Sequence, residues 1–314
     1  MAPIFTRLSN AFGFGAPSGG AAQTPGSATG GSMLTNGGYQ YHVFTSNGNF
    51  VVSGDLPIPG VEFIVVAGGG GGGIDVGGGG GAGGCAHGNP FDTIQPGSHA
   101  VVVGAGGAGT PHPSPNPARA ASPGSDSTFT VSITGGQETI TAKGGGGGGG
   151  WNGNVGSQRN GRPGGCGGGA SGWETNSQGG GATQPQQNGG IANVNNYGEP
   201  GGPATQASQS QSGGGGGGAG SGGGSGPNGG EPGPAKAFPG FSGPVLQPAP
   251  TLGPGWATAV GPGKYSKGGE GRTDGESQGS HAEQFTGDGG PGGGDGPGQG
   301  RNGGTGIFVV RYPA

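Results

Sequence analysis

Cys85 and His87 stand two residues apart in CAHG, and a thiolate beside an imidazole could begin a zinc site. No second ligand pair follows at suitable spacing, so a metal centre is not expected. With Cys166 as the other cysteine, the chain allows one disulfide or two free thiols, not a disulfide framework. Gly104-Ala-Gly-Gly-Ala-Gly109 imitates a dinucleotide fingerprint, but TPHPSPNP comes next and cannot open the helix that would receive a pyrophosphate. Asp55, Asp75, Glu174, Glu199, Asp274, Asp288 and Asp295 are isolated or lie in glycine loops, reproduce no calcium loop, and read as solvated acids. No Ser-His-acid or Cys-His-acid order has supporting context. The sequence predicts no enzyme and no cofactor.

The remaining chemistry is contact chemistry. Between the glycine runs of the second half stand aromatic and polar residues, among them Arg162, Glu174, Arg272 and Asp274. An aromatic face beside amides and hydroxyls on a rigid support suits a saccharide or protein surface. The candidate receptor contacts are Trp151, Arg159, Trp173, Tyr197, Phe238, Phe241, Trp256, Tyr265, His281 and Phe285. Each aromatic would serve equally well as a packing anchor, and that alternative stays open.

Composition limits what can position them. The chain has 314 residues with 95 Gly and 28 Pro, is 27% hydrophobic and 8% charged, and carries a formal net charge of -4. One conventional core cannot involve its whole length. A disordered polymer is normally kept soluble by charge, which is scarce here, so another kind of order is expected. The 11 Lys and Arg are scattered and form no basic track, which argues against nucleic acid as a partner. The opening MAPIFTRLSN lacks a secretion signal and no run approaches the ~20 apolar residues of a membrane span. If the protein works outside a cell it leaves by another route, of which incorporation into a particle released by lysis is one.

Residues 1–35 read as a leader followed by a flexible linker, APSGGAAQTPGSATGGS. The leader's Ile4, Phe5, Leu8, Phe12 and Phe14 are candidate docking residues for a larger partner. From residue 36 the pattern alternates. YQYHVFT and FVVSG read as strands around an Asn47-Gly48 hairpin signal, VEFIVVA as a central strand apolar on both faces, and HAVVVG as a further strand. STFTVSI and QETITAK flank a Gly135-Gly136 turn. TPHPSPNPARAASPGS reads as a surface loop. The terminal IFVVRY cannot stand alone, so it returns to pair with the first strands. The fold class expected is all-β plus polyglycine-II. A small β-sandwich (36–143 plus 305–314) is closed by the C-terminal strand, and a glycine-rich, polyproline-II-like layered domain (144–304) is inserted before it, with no substantial helix.

Glycine makes such a layer physically reasonable. A polyproline-II strand has three residues per turn and no internal hydrogen bond, so its backbone groups point outward. Without a Cβ, neighbouring strands approach closely enough to join them. Collagen needs glycine at every third residue, and that register runs through Gly287, Gly290, Gly293 and Gly296 before meeting Gln299.

GGYQYHVFTSNGNFVVSG, VEFIVVAGGGGGG and the closing GGTGIFVVRY, with HAVVVGAGGAG and ITAKGGGGGGG between them, resemble the glycine-rich domain of bacteriophage tail-fibre and adhesin proteins. The resemblance spans residues 37–312. It implies a sandwich head built on Tyr39, Tyr41, Phe44, Phe50, Phe63, Val65, Ile307, Val309 and Tyr312, and polyglycine-II strands whose distal loops touch a host receptor. A virion location on a fibre or external surface follows from it. So do partners among other virion proteins, reached through the leader, and a host-surface glycan or outer-membrane protein. Homo-oligomerisation stays open, and the alternative to an adhesin is a non-adhesive head fibre, decoration or surface appendage.

Overall fold

The computed structural model describes residues 23–112, 120–151, 158–173, 176–184, 191, 193–207, 210–226, 228–253, 255–276, 279–294 and 298–314. The expected leader residues Ile4, Phe5, Leu8, Phe12 and Phe14 lie outside them.

VEFIVVA is apolar on both faces because it is covered on both. Its strand β5 (Glu62–Val66) turns Phe63 and Val65 into one buried cluster and Ile64 and Val66 into another. The C-terminal strand β15 (Ile307–Pro313) repeats the alternation, with Phe308, Val310 and Tyr312 on the first side and Ile307 and Val309 on the second. The two strands pair antiparallel, Ile307 opposite Val66 and Arg311 opposite Glu62. They sit inside a six-stranded sheet with β2 (Ser32–Asn36), β3 (Tyr39–Phe44), β6 (Cys85–Gly88) and β10 (Val194–Tyr197), in the order β10-β6-β5-β15-β3-β2.

One face of that sheet packs on a five-stranded sheet. It contains β1 (Ser27–Thr29), β4 (Gly48–Ser53), β7 (Gly97–Val102), β8 (Ser127–Ile133) and β9 (Gly136–Ala142), ordered β1-β4-β7-β8-β9. Phe50, Phe63, Phe129 and Phe308 meet between the sheets, the last two with ring centroids 4.5 Å apart. Gly135 and Gly136, at φ 112° and 149°, close the expected β8–β9 hairpin.

Four features differ from the sequence expectation. Asn47-Gly48 does not close a hairpin: β3 and β4 belong to different sheets, and the turn carries the chain across the sandwich. A turn signal specifies a reversal and not which sheet receives the next strand. Residues 27–35, expected in the leader-and-linker segment, form β1 and, with Asn36, β2. Between them Gly30 (φ 110°) crosses so close to β4 that a Cβ there would lie 2.1 Å from the Asn49 carbonyl oxygen. Residues 236–265, expected in the glycine-rich domain, instead cover the second face of the six-stranded sheet as a third layer. That layer has two-residue strands β13 (Lys236–Ala237) and β14 (Lys264–Tyr265), a 3-10 turn at Pro239–Phe241, and short helices α1 (Gly243–Leu246) and α2 (Trp256–Val260). It lacks glycine runs and supplies the apolar surface that Ile64, Val66 and Val309 require.

The fourth difference is the boundary at 143/144. Glycine runs 68–73 and 77–84 lie at the centre of the layered domain, and the later runs surround them. Along 68–73, every third N–H donates to the same neighbour. Gly68 and Gly71 reach Ser125 and Ser122, Gly69 and Gly72 reach Gly304 and Arg301, and Gly70 and Gly73 reach Gly81 and Gly78, at 2.8 to 3.1 Å. Their carbonyls accept in the same rhythm from Gly145 and Gly148, Gly107 and Thr110, and Gly290 and Gly293. This is the threefold repeat of polyproline-II geometry, with six neighbouring segments around one strand. A Cβ on Gly70 would lie 2.2 Å from the Gly146 oxygen, and one on Gly80 2.1 Å from the Gly70 oxygen. Backbone hydrogen bonds here replace side-chain packing. On the outer strands Pro123, Pro163, Pro200, Pro203 and Pro234 are exposed, where a residue without an N–H leaves no donor unpaired.

Candidate functional site

The central strands 68–73 and 77–84 run away from the sandwich and back, joined by Ile74-Asp75-Val76, with Asp75 and Val76 in left-handed conformation at φ 55° and 52°. This turn marks the lattice end opposite the sandwich. Trp151 N–H donates to the Ile74 carbonyl (3.3 Å), Gly172 N–H to that of Val76 (2.9 Å), and Ser171 Oγ–H to that of Asp75 (3.4 Å). Trp151 and Trp173 thereby meet, with ring centroids 5.1 Å apart at 36°. Arg159 joins them, its carbonyl accepting from Ser171 N–H at 2.7 Å. The two rings are half-buried. Trp173 Nε1 and Gln158 Oε1 are buried without a hydrogen-bond partner among the described residues.

Three of the expected contact residues, Trp151, Arg159 and Trp173, are thus brought together far apart in sequence. Four others are not available. Phe238, Phe241, Trp256 and Tyr265 are 3%, 0%, 1% and 0% exposed, forming the core of the third layer, and their expected receptor role is corrected to packing. Tyr265 Oη–H donates to the Phe241 carbonyl (2.7 Å) and Trp256 Nε1–H to that of Phe285 (3.2 Å), so even their polar ends are used internally. Phe285 is half-buried against this layer. Tyr197 packs on Phe238, with the Lys236 ammonium 4.5 Å from its ring centroid. His281 is exposed on the lattice flank, its Nδ1 accepting from Asn302 N–H at 3.1 Å.

The sequence reading missed a charge cluster where the third layer meets the sheet. Arg311 donates to Glu62, to Tyr41 Oη (3.0 Å) and to the Gly240 carbonyl (3.2 Å), and lies over the rings of Tyr39 (4.4 Å) and Phe241 (5.2 Å). His87 Nε2 lies 3.1 Å from Glu62 Oε1. Burial alone would raise the Glu62 carboxyl, but hydrogen bonds from His87 and Arg311 and the Arg311 charge hold it below the usual range. The only signal in the sequence is a glutamate opening one apolar strand and an arginine near the end of another; their pairing appears only in the structure.

Cys85 and Cys166 are free and buried. Burial pushes the Cys85 thiol up to about 12 and raises Cys166 as well, so neither is a nucleophile at neutral pH. Among the described residues no His, Cys, Asp and Glu group could hold a metal ion, and no helix is long and apolar enough to cross a membrane.

The model of a glycine-rich domain family matches residues 45–313, from the turn after β3 to the end of β15. The chain belongs to the glycine-rich domain family. The match takes in the sandwich strands from β4 onward, the lattice and the third layer, and leaves β1, β2 and β3 outside it. No curated protein matches this glycine-rich domain protein.

Proposed function

We propose that this chain is a bacteriophage virion protein, a fibre or tip adhesin whose lattice end opposite the sandwich contacts a host-surface receptor. The observation that carries the reading is the Trp151–Trp173 pair, half-exposed and mounted on a backbone-bonded lattice. Rigid aromatic anchors on a fixed support lose little entropy on binding. The receptor class is a surface glycan or an outer-membrane protein, and the leader with Ile4, Phe5, Leu8, Phe12 and Phe14 is the docking element toward other virion proteins.

Competition with adsorption tests this. Soluble chain added to host cells is expected to block attachment of phage that carry it, and a W151A/W173A double variant to lose that block while retaining its melting temperature. Equal inhibition by the variant, or none by the parent chain, ends the adhesin reading. Deleting residues 1–15 without loss from particles ends the docking role of the leader.

A non-adhesive appendage is the second reading, favoured by the interior position of Phe238, Phe241, Trp256 and Tyr265, which leaves fewer aromatics for a partner. Immuno-electron microscopy with an antibody to residues 110–124 separates the two. Label at fibre tips supports the adhesin, and label over the head or shaft supports the appendage.

A further inference from the structure

A groove of about 450 Å³ opens along the lattice flank, lined by Glu231, Pro232, Lys267, Glu270, Arg272 and Asp288 among others. Its floor is backbone. Gly268 N–H donates to the Gly233 carbonyl, Gly269 N–H to that of Gly80 and Gly289 N–H to that of Lys267, each at 2.8 Å. The groove is therefore held open by the lattice and needs no rearrangement to receive a ligand.

Its polar groups are arranged in the lattice rhythm. Lys267 N–H donates to Asp288 Oδ1 at 2.8 Å. Glu270 follows three residues later on the same face of the threefold strand, and its N–H has no acceptor among the described residues. Arg272 is committed to Glu270 (3.0 Å) and Glu276 (3.8 Å), while its Nε is buried without a hydrogen-bond partner among the described residues. The exposed Lys267 ammonium makes no ion pair among the described residues. Pro232 and Pro291 supply half-buried apolar ring faces.

We propose that this groove binds an uncharged pyranose unit against Pro232 and Pro291, with Glu231, Glu270 and Asp288 accepting from its hydroxyls and Lys267 donating to them. Charge selects the class. A phosphate would face three carboxylates with one uncommitted cation, and an amine would face Lys267 and Arg272. A neutral polyol satisfies acceptors and donors together. Burial pushes the Asp288 carboxyl up to about 6, so at neutral pH it is mostly ionised and acts as an acceptor. The site is separate from the Trp151–Trp173 end and stands whether or not that end binds a host.

The test is saturation-transfer NMR on the full chain with the methyl α-glycosides of glucose, galactose and mannose at ~10 mM, a concentration suited to the millimolar affinity of single sugars. Transfer to at least one glycoside is expected, weakened about tenfold or more, or ~1.4 kcal/mol, by K267M and by E270Q. Lys267 is exposed and makes no ion pair among the described residues, so K267M should match the parent chain in circular dichroism and melting, and E270Q, whose amide oxygen still faces Arg272, should keep the parent's circular dichroism with a slightly lower melting temperature. The corresponding disaccharide binding more tightly than the monosaccharide identifies a polysaccharide chain as the source, and equal affinity identifies a terminal or free sugar. No transfer to any glycoside, transfer that survives both substitutions, or transfer abolished by W151A/W173A overturns the proposal.

Discussion

Glu62 and Arg311 face each other across the β5–β15 ladder and close an ion pair that is almost out of water, their side chains 12% and 16% exposed, with Arg311 Nε 2.6 Å from Glu62 Oε2. The same guanidinium donates to Tyr41 Oη and to the Gly240 carbonyl, so one residue of the last strand ties two strands and the third layer together. Removing one partner strands the other charge. R311A is expected to cost ~3–5 kcal/mol, measured by chemical denaturation. A loss below ~1 kcal/mol, the worth of an exposed pair, would show the cluster to be solvated.

His42 supplies a pH dependence. It is fully buried, its Nδ1–H donating to the Gly30 carbonyl (2.8 Å) and its Nε2 lying 3.3 Å from Tyr312 Oη, which accepts from Ala28 N–H. His99, buried on the other side of Phe50, donates from Nε2–H to the Gln95 carbonyl (2.9 Å) and accepts Ser132 N–H on Nδ1 (3.2 Å). Burial lowers both pKa values below 6.5. The unfolded chain therefore binds more protons, and the stability from neutral imidazoles is complete above the unfolded pKa and lost as pH falls through the folded ones. Melting temperature should fall below about pH 6.5, and H42Q should flatten the decline. Glu62, held low, adds a second loss that begins near 4.5. Asp288, pushed up to about 6, gains stability as pH falls through the same window, so the deciding comparison is between chains: equal pH slopes of melting temperature for the parent and H42Q between pH 7 and 5 would contradict this account.

The lattice predicts opposite results for two glycines. G80A places a methyl 2.1 Å from the Gly70 oxygen and should cost more than ~4 kcal/mol, enough to prevent folding. At Gly181 nothing lies within 4 Å and φ is not positive, so G181A should be neutral or stabilise by ~0.4–1 kcal/mol through the unfolded chain. Soluble yield and denaturation midpoints of the two variants decide the matter. Similar behaviour would mean that the interstrand bonds are not holding the domain.

Cys85, its Sγ 2.9 Å from Ser266 Oγ, and Cys166, its Sγ 3.8 Å from the Gly83 carbonyl oxygen, sit inside the lattice margin. A thiol reagent such as DTNB should label neither in the native protein and both after denaturation without reductant. Labelling that needs reductant would reveal a disulfide, and rapid native labelling would mean that the lattice opens.

Much of this molecule follows from local pattern. VEFIVVA shows that both faces are covered, IFVVRY that it must find partners, and the glycine runs that backbone bonds replace side-chain packing, because burial and backbone satisfaction constrain each segment alone. What covers each face is a long-range matter. Nothing near Asn47-Gly48 says that the chain changes sheet, and nothing in 68–84 says that those glycines take the lattice centre. The aromatics show the division most clearly. Trp151 and Trp173 meet at an exposed end because glycine strands of fixed rise bring their loops together, whereas Phe238, Phe241, Trp256 and Tyr265, of the same residue types, are drawn inside by the open apolar face of the six-stranded sheet. Sequence determined that aromatics stand between glycine runs, and tertiary structure alone decided which had an apolar surface within reach.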